Sequence, residues 1–436
     1  MKRLLITTWG DYSNWSEVTY VFNSKEKESC STLPILYEEL NPDKVILIIP
    51  ESVVKKEFSN YEELIKNVKE DCINFISQEL EISDNKIDIV VSPIVGNFLI
   101  EKEKKETLFH LKIDRDAKDF YSFTLFNLAN ILVNLGDECE IYLDISHGIN
   151  FLPTLTYQVL IELLSLLAYT KTVSFHVYNS EPYSRDIPDL KLHINEIERR
   201  EKVEPYLSGN TLGKEGNCRL LKVRDRNENL SRAISAISGV SNYKELNAFI
   251  SSIVNGLPLV FYTFYPNEEE VLNRVKQVIE KWKEQHEVSS ILNGEKKFIK
   301  FIVKSKLTFT EDFRTFIKVW FVSKIFNLKQ SSEVDIEKFK EFIHFIKHDG
   351  LKYNLLNRTI GVDLKGIEDH CDNEWRKLRE FIPEKVGDFN QQNFLAHAGL
   401  EYNVTEIHKE NGKIKLRYDK NCMERIIDAC IEGLFK

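Results

Sequence analysis

What this chain has little of narrows the field first. Its seven cysteines (Cys30, Cys72, Cys139, Cys218, Cys371, Cys422 and Cys430) are scattered, odd in number and never spaced C-x-x-C. Neither a zinc site nor a disulfide framework is indicated, and a reducing cytosol is the natural compartment. Long apolar runs are missing as well. The longest, near Val159–Ala168, carries Glu162 and is too short to span a bilayer. The basic and then apolar start, Met1–Ile6, breaks at Thr7-Thr8-Trp9-Gly10, too early for a signal peptide. A cytoplasmic protein with no membrane role is expected. Positive charge is in deficit: the net charge is −9 and the pI about 5.7. That argues against a broad basic face for duplex nucleic acid and leaves room for a local basic pocket. Methionine occurs only twice, against abundant Lys and Glu, a balance compatible with a thermophile.

Several motifs are absent too. Without G-x-G-x-x-G a dinucleotide cofactor is disfavoured, and without G-x-S-x-G so is a Ser-His-Asp hydrolase. His344 and His348 stand four apart, but the run H-F-I-K-H lacks the glutamate of a zincin. Asp137, Glu138 and Glu140 fit a solvated face better than a metal site. No internal repeat or low-complexity tract is present.

What is there suits two or three domains over 436 residues, with 42% hydrophobic and 29% charged residues. Strands are expected at Leu4–Thr8, Asp43–Pro50, Lys86–Ser92, Glu140–Asp144 and Thr172–Val177. Helices are expected at Thr32–Leu40 (capped by Ser31 or Thr32), Tyr61–Leu80, Asp116–Leu135 and Gly148–Ala168. Alternating strands and helices, with continuous apolar strands, mean a parallel sheet covered on both faces. A Rossmann-like α/β domain is expected over residues 1–180, with ligands at the C-terminal strand ends. Residues 181–224 look like a linker or insertion: Glu181–Asn217 carries Pro182, Pro188, Pro205, Gly209, Gly213 and Gly216.

Residues 225–436 are expected to be helical, at Leu230–Val254, Glu268–His286, Lys296–Lys304, Glu311–Leu328, Asp335–Lys347, Asp363–Phe381 and Asn421–Phe435. Leu257–Tyr265 is apolar enough to be a buried connector or an interface. Glu401–Ile407 and Lys413–Tyr418 flank Asn411-Gly412, a strong hairpin signal.

Two loops of the first domain could carry chemistry. Asp144-Ile145-Ser146-His147-Gly148-Ile149-Asn150 joins a buried strand to a helix start, where backbone N–H groups, a glycine and small polar side chains can cradle phosphate or ribose. The alternative is an ordinary turn with Asp144 or Ser146 as a cap. In Thr7-Thr8-Trp9-Gly10-Asp11-Tyr12-Ser13-Asn14-Trp15, the rings of Trp9, Tyr12 and Trp15 could stack on bases, or could simply pack over the sheet edge. Two such loops facing one crevice favour a ligand.

Near the C-terminus lies Gln391-Gln392-Asn393-Phe394-Leu395-Ala396-His397-Ala398-Gly399-Leu400. A helix here would place Gln392, Ala396 and Gly399 on one side and stack Asn393 on His397. By itself His397 could be a packed helix histidine or a proton-transfer group.

Taken together, the aromatic-glycine loop after the first strand, Asp144–Thr154 after the fourth and Asn393–Leu400 near the end resemble the CARF–HEPN ribonucleases that accompany type III CRISPR systems. The resemblance spans nearly the whole chain. It implies an N-terminal CARF domain and a C-terminal helical HEPN domain with a small β-hairpin. It also implies a homodimer or higher oligomer, activated by a cyclic oligoadenylate, commonly cyclic tetra-adenylate. Paired HEPN domains would cut single-stranded RNA with no metal or other cofactor. By position, Thr8, Trp9, Gly10, Asp11, Tyr12, Trp15, Asp144, Ser146, His147, Gly148 and Asn150 would line the activator site. His397, Gln392 and Asn393 would form the catalytic motif. Gln392 stands where that motif has its arginine, which implies weakened or lost cleavage unless Arg376 or Arg379, from the preceding expected helix, substitutes in space. The alternative is a non-catalytic sensor or regulator. Slow linearisation of the activator by Ser146 and His147 is a third possibility.

Overall fold

The computed structural model describes residues 1–80, 86–101, 108–184, 187, 189–293, 298–346, 350–358, 361, 371–381 and 387–434. The chain forms two compact units. One comprises 1–203, 221–235 and 276–310, and the other 204–220, 236–275 and 311–436.

All five strands expected in the first domain form. They are β1 (Lys2–Trp9), β4 (Lys44–Pro50), β5 (Ile87–Ser92), β8 (Glu138–His147) and β9 (Thr172–Ser180). They are mutually parallel, in the order β9-β8-β1-β4-β5. Helices α1 (Leu33–Leu40), α2 (Tyr61–Phe75), α3 (Lys118–Leu132) and α4 (Leu152–Leu167) connect them. The central strands are apolar in succession because both their faces are covered: Leu4, Leu5, Ile6 and Val45 to Ile49 are all essentially solvent-free.

The sheet is wider than the apolar runs alone suggest. A hairpin, β2 (Val18–Phe22) and β3 (Lys25–Ser29), and a long strand, β10 (Lys191–Arg200), extend it to eight strands in the order β3-β2-β10-β9-β8-β1-β4-β5. The loop expected over Glu181–Asn217 therefore gives way to a strand at Lys191–Arg200, antiparallel to β9 and parallel to β2.

A second sheet of four strands joins β6 (Gly96–Glu101) and β7 (Leu108–Asp114) to His286–Asn293 and Phe298–Ser305. The helix expected at Lys296–Lys304 is instead a strand over its described part. Phe301 and Val303 are buried while Lys300 and Lys304 are not, the two-residue period of a pleated strand, and β7 fixes its register. Beneath lies a buried polar cluster. Arg115 pairs with Glu51 at 2.9 Å, Tyr61 donates to Glu51 at 2.8 Å, and Trp282 donates to Asp119 at 3.3 Å.

The second unit is mostly helical. Its helices include Tyr243–Asn255, Pro258–Thr263, Glu311–Phe326, Ile336–Ile346 and Met423–Gly433. Pro258–Thr263 is buried throughout, as its apolar sequence implies. A four-stranded antiparallel sheet orders Val334–Asp335, Lys413–Tyr418, Thr405–Glu410 and Arg376–Lys377. Asn411 (φ 51°) and Gly412 (φ 78°) make its hairpin turn, left-handed backbone that suits this dipeptide. Most of the helix expected at Asp363–Phe381 lies outside the described residues, as does His348. In the part that is described, residues 371–381, Arg376–Lys377 is a short strand and Leu378–Phe381 one 3-10 turn.

Candidate functional site

In the parallel sheet, β1 has β4 and β5 on one side and β8 and β9 on the other. The strand order reverses between β1 and β8, and the two loops singled out in the sequence leave the C-terminal ends of these two strands. That is the topological switch point, where doubly wound sheets open a crevice for ligands.

Asp144, at the end of β8, is fully buried, yet both its oxygens are satisfied. Oδ2 accepts from Thr7 Oγ1 (3.1 Å) and Thr32 Oγ1 (2.7 Å), and Oδ1 accepts from Ser146 N (3.0 Å) and Ser146 Oγ (2.5 Å). Ser146 Oγ also accepts from Ser180 N at 2.9 Å. Neither Asp144 nor Ser146 caps α4. The Thr32 side chain does not cap α1 either, since its hydroxyl is spent on Asp144. Thr32 N–H donates to His147 Nε2 at 3.1 Å, so the imidazole is neutral with its proton on Nδ1. Burial pulls the His147 pKa down, partly opposed by the Asp144 charge. Trp15 packs on His147 with ring centroids 4.3 Å apart.

The two loops are tied together: Gly10 N–H donates to His147 O at 2.8 Å. A Cβ at Gly10 would collide with Ile149, and one at Gly148 would overlap the Pro153 ring and stand 2.5 Å from Thr8 Oγ1. That Thr8 hydroxyl is buried without a hydrogen-bond partner.

The residues expected to line a ligand thus divide in two. Asp11, Trp15, Ser146, His147, Gly148 and Asn150 keep exposed surface, and Asn150 adopts left-handed backbone at φ 53°. Thr8, Trp9, Gly10, Tyr12 and Asp144 are buried. Trp9 and Tyr12 pack with Trp15 and Phe75, so their rings are core under the loop and not stacking platforms. In the sequence Thr7 reads as the start of the loop and Thr32 as a helix cap, and neither reads as a partner of Asp144. Nothing in a strand interior or a helix start marks a hydroxyl that turns toward a carboxylate more than a hundred residues away.

In the second unit, Gln391–Ala396 is a six-residue helix whose cap, Asn390, accepts from Asn393 N–H at 3.0 Å. It ends sooner than the sequence pattern implies. Gly399 N–H donates to Phe394 O (2.7 Å) and Ala398 N–H to Leu395 O (3.3 Å). This paired closure puts His397 at the C-cap, with Ala398 (φ 53°) and Gly399 (φ 82°) left-handed beyond it. Gly399 therefore leaves the helical face that Gln392 and Ala396 define. Tyr418 OH anchors the turn by donating to Gly399 O at 2.9 Å. Phe394 is buried, Gln392 and Asn393 are exposed, and His397 is half-buried with its ring 5.6 Å from that of Tyr402. Asn393 and His397 stay one turn apart, joined by the 2.9 Å bond from His397 N–H to Asn393 O.

Among the described residues, no three His, Cys, Asp or Glu converge to hold a metal ion, and no helix is long and apolar enough to cross a membrane. Residues 4–182 match the family model for the CARF domain of the CRISPR system endoribonuclease Csx1, and residues 333–420 match the model for its HEPN domain. Over its whole length the chain is similar to the CRISPR system endoribonuclease Csx1 of Methanocaldococcus jannaschii. The two are 33% identical over 454 aligned positions, covering 97% of this chain and 92% of the relative.

Proposed function

The chain belongs to the Csx1 family of CRISPR system endoribonucleases, and on that basis we propose that it is a CRISPR-associated antiviral ribonuclease gated by a cyclic oligoadenylate. The activator, cyclic tetra-adenylate first among the candidates, sits at the switch point of the CARF sheet. The tied loops, the Trp15–His147 stack and the close approach allowed by Gly148 support this placement. Ligands of this kind suit a homodimer or higher oligomer, in which two HEPN domains share one cleft.

The observation that carries the nuclease reading is His397, held half-buried at a helix C-cap by a closed turn, beside Tyr402. The ribose 2′-OH of single-stranded RNA attacks its own 3′-phosphate. The 2′-O–P bond forms, the P–O5′ bond breaks, and the products are a 2′,3′-cyclic phosphate and a free 5′-OH. His397 takes or returns the proton in this exchange. Because the nucleophile is internal to the substrate, no metal-bound hydroxide is required. Asn393, one turn back, would hydrogen-bond the same phosphate, and Gln392 stands at the position of the motif's arginine.

Labelled single-stranded RNA incubated in EDTA should be cut only when cyclic tetra-adenylate is added, and the His397→Ala variant should not cut at all. Cleavage that ignores the activator, or that needs a divalent metal, overturns the reading. One observation favours a second reading: Gln392 is exposed and uncharged, so it can bond a phosphate but not neutralise it. A protein that binds the activator and leaves RNA intact, even as Gln392→Arg, is a sensor that signals through partners. Linearisation of the activator draws little support, because the Ser146 hydroxyl is already engaged as both donor and acceptor.

A further inference from the structure

Cleavage leaves negative charge on the non-bridging phosphoryl oxygens, and a cation in the site is the ordinary means of stabilising it. Gln392 offers none, and the stretch from residue 371 to the C-terminus carries four arginines, Arg376, Arg379, Arg417 and Arg425. Arg376 is committed: its Nη2 lies 2.7 Å from Asp372 and 3.2 Å from Glu374. Arg417 lies over the Trp375 ring at 4.0 Å and is paired with Glu406 at 2.6 Å.

Arg425 is exposed but out of register. Gln391 Nε2 bonds Ala429 O at 3.3 Å, and a Cβ at Gly433 would meet Leu395 at 3.1 Å, so the two helices run side by side in the same direction. Arg425 lies a turn before Ala429, and His397 lies six residues beyond Gln391. At the rise of a helix that separates them by about 15 Å along the axis.

Arg379 differs from all three. It is exposed, and among the described residues its guanidinium makes a single contact, 3.4 Å from Nη1 to Asn403 Oδ1. Its backbone N–H donates to Tyr402 O at 3.2 Å, and the Tyr402 ring lies against His397. The turn that follows His397 is closely hydrogen-bonded. Glu401 is buried and binds Asn403 through both the backbone N–H and the side-chain amide, each at 2.8 Å. Asn403 Nδ2 also holds Gly387 O at 2.9 Å. Leu378, the neighbour of Arg379, is fully buried and fixes the segment. The segment that carries Arg379 is therefore bonded to the turn that follows His397, and among the described residues Asn403 is the partner its guanidinium has.

We propose that Arg379 supplies the phosphate-binding cation of the His397 site, in place of the residue at position 392. The proposal rests on the ribonuclease reading above and deepens it. A planar guanidinium can grip two phosphoryl oxygens at once, and a lysine cannot reproduce that fork.

The test uses the full-length protein with labelled single-stranded RNA, cyclic tetra-adenylate and EDTA, measuring kcat and KM separately. Arg379→Gln retains a donor for Asn403 while losing the charge, so the fold is preserved. It should lower kcat by about 10²–10³-fold, the scale expected on removing one charge-stabilising donor. Arg379→Lys should recover only part of that loss, and Arg425→Ala should cleave like the wild type. Adding Gln392→Arg to Arg379→Gln should restore cleavage. Binding of an uncleavable 2′-deoxy oligonucleotide should lose salt dependence in Arg379→Gln, with a slope shallower by about 0.7 for one phosphate contact.

Arg379→Gln cleaving as fast as the wild type overturns the proposal. So does a wild type that is silent while Gln392→Arg cuts, a result that leaves the ribonuclease reading standing. Silence of both the wild type and Gln392→Arg overturns the ribonuclease reading itself, and the proposal with it.

Discussion

The backbone N–H of Thr32 donates a 3.1 Å hydrogen bond to Nε2 of His147. This bond joins the start of α1 to the end of β8, and it leaves Nδ1 as the imidazole nitrogen that carries the proton. With Nε2 occupied and Trp15 against the ring, Nδ1–H is the donor that the proposed activator would meet.

The first prediction concerns that imidazole. Burial depresses the His147 pKa, so the folded protein holds it neutral while an unfolded chain titrates near the ordinary histidine value. Protonating it can only disfavour the fold, and the associated stability rises with pH up to about 6.5. Calorimetric titration with cyclic tetra-adenylate should therefore give an affinity that is flat from about pH 6.5 to 8. His147→Ala loses one hydrogen bond and one ring contact, each worth about 1 kcal/mol, so affinity should fall by at least about tenfold. Unchanged affinity in His147→Ala would remove this loop from the site.

A second prediction tests the close approach at Gly148. An added methyl must displace either the Pro153 ring or Thr8 Oγ1, both parts of packed elements. Overpacking of this kind costs about 1–3 kcal/mol. Gly148→Ala should lower the melting temperature by several degrees and weaken activator binding. Gly387→Ala, with open space around it among the described residues, should do neither. A wild-type-like Gly148→Ala would mean that the strand–helix connection is slack.

What could be read from the sequence follows where the physics is local. The five parallel strands are visible because burial on both faces makes them continuously apolar, and their alternation with helices implies a parallel sheet, while the reversal between β1 and β8 is seen only in the strand order. The strands that were missed are half-solvated. β3 reads Lys-Glu-Lys-Glu-Ser, and in β10 only Leu192 and Ile194 are buried before a run of charges. Their pairing is decided by neighbours and not by their own composition. Trp9 and Tyr12 were legible as aromatics beside a glycine, but their inward direction depends on Phe75 of α2. At the other site His397 and Gln392 stand out in the sequence. Arg379 is one of two arginines that the sequence offers as a substitute, and what it does not show is the contact with Tyr402 and Asn403, more than twenty residues on.

A third prediction follows from Gln392. It is exposed on the same short helix that carries Asn393, so an arginine can be accommodated there without burying charge. Gln392→Arg should raise activator-dependent cleavage by at least about tenfold. His397→Ala in the same background should abolish the gain, as followed by the appearance of 2′,3′-cyclic phosphate ends. If the gain survives without His397, the cutting takes place somewhere else.

The last prediction uses the polar cluster below the second sheet, where two groups titrate in opposite senses. Burial pushes the Asp119 pKa up to about 6, against the hydrogen bonds from Thr308, Phe309 N–H and Trp282. Burial, together with the Arg115 charge, pulls the His286 pKa down to about 3. Between about pH 4 and 6 the folded state holds a proton on Asp119 that the unfolded chain has released, so this group makes stability fall as pH rises. Over the same range the unfolded chain holds a proton on His286 that the fold excludes, so that group makes stability rise. Each can contribute up to about 1.4 kcal/mol per pH unit, and in the wild type they largely cancel. Denaturant melts at pH 4, 5 and 6 should separate them. In Asp119→Asn only the histidine remains, and stability should climb with pH more steeply than in the wild type. In His286→Phe, which keeps a ring against Tyr61 where the native stack is 4.0 Å, only the carboxylate remains, and the slope should turn downward relative to the wild type. Slopes that move in the same direction in the two variants would show that Asp119 and His286 are not the groups titrating in this cluster.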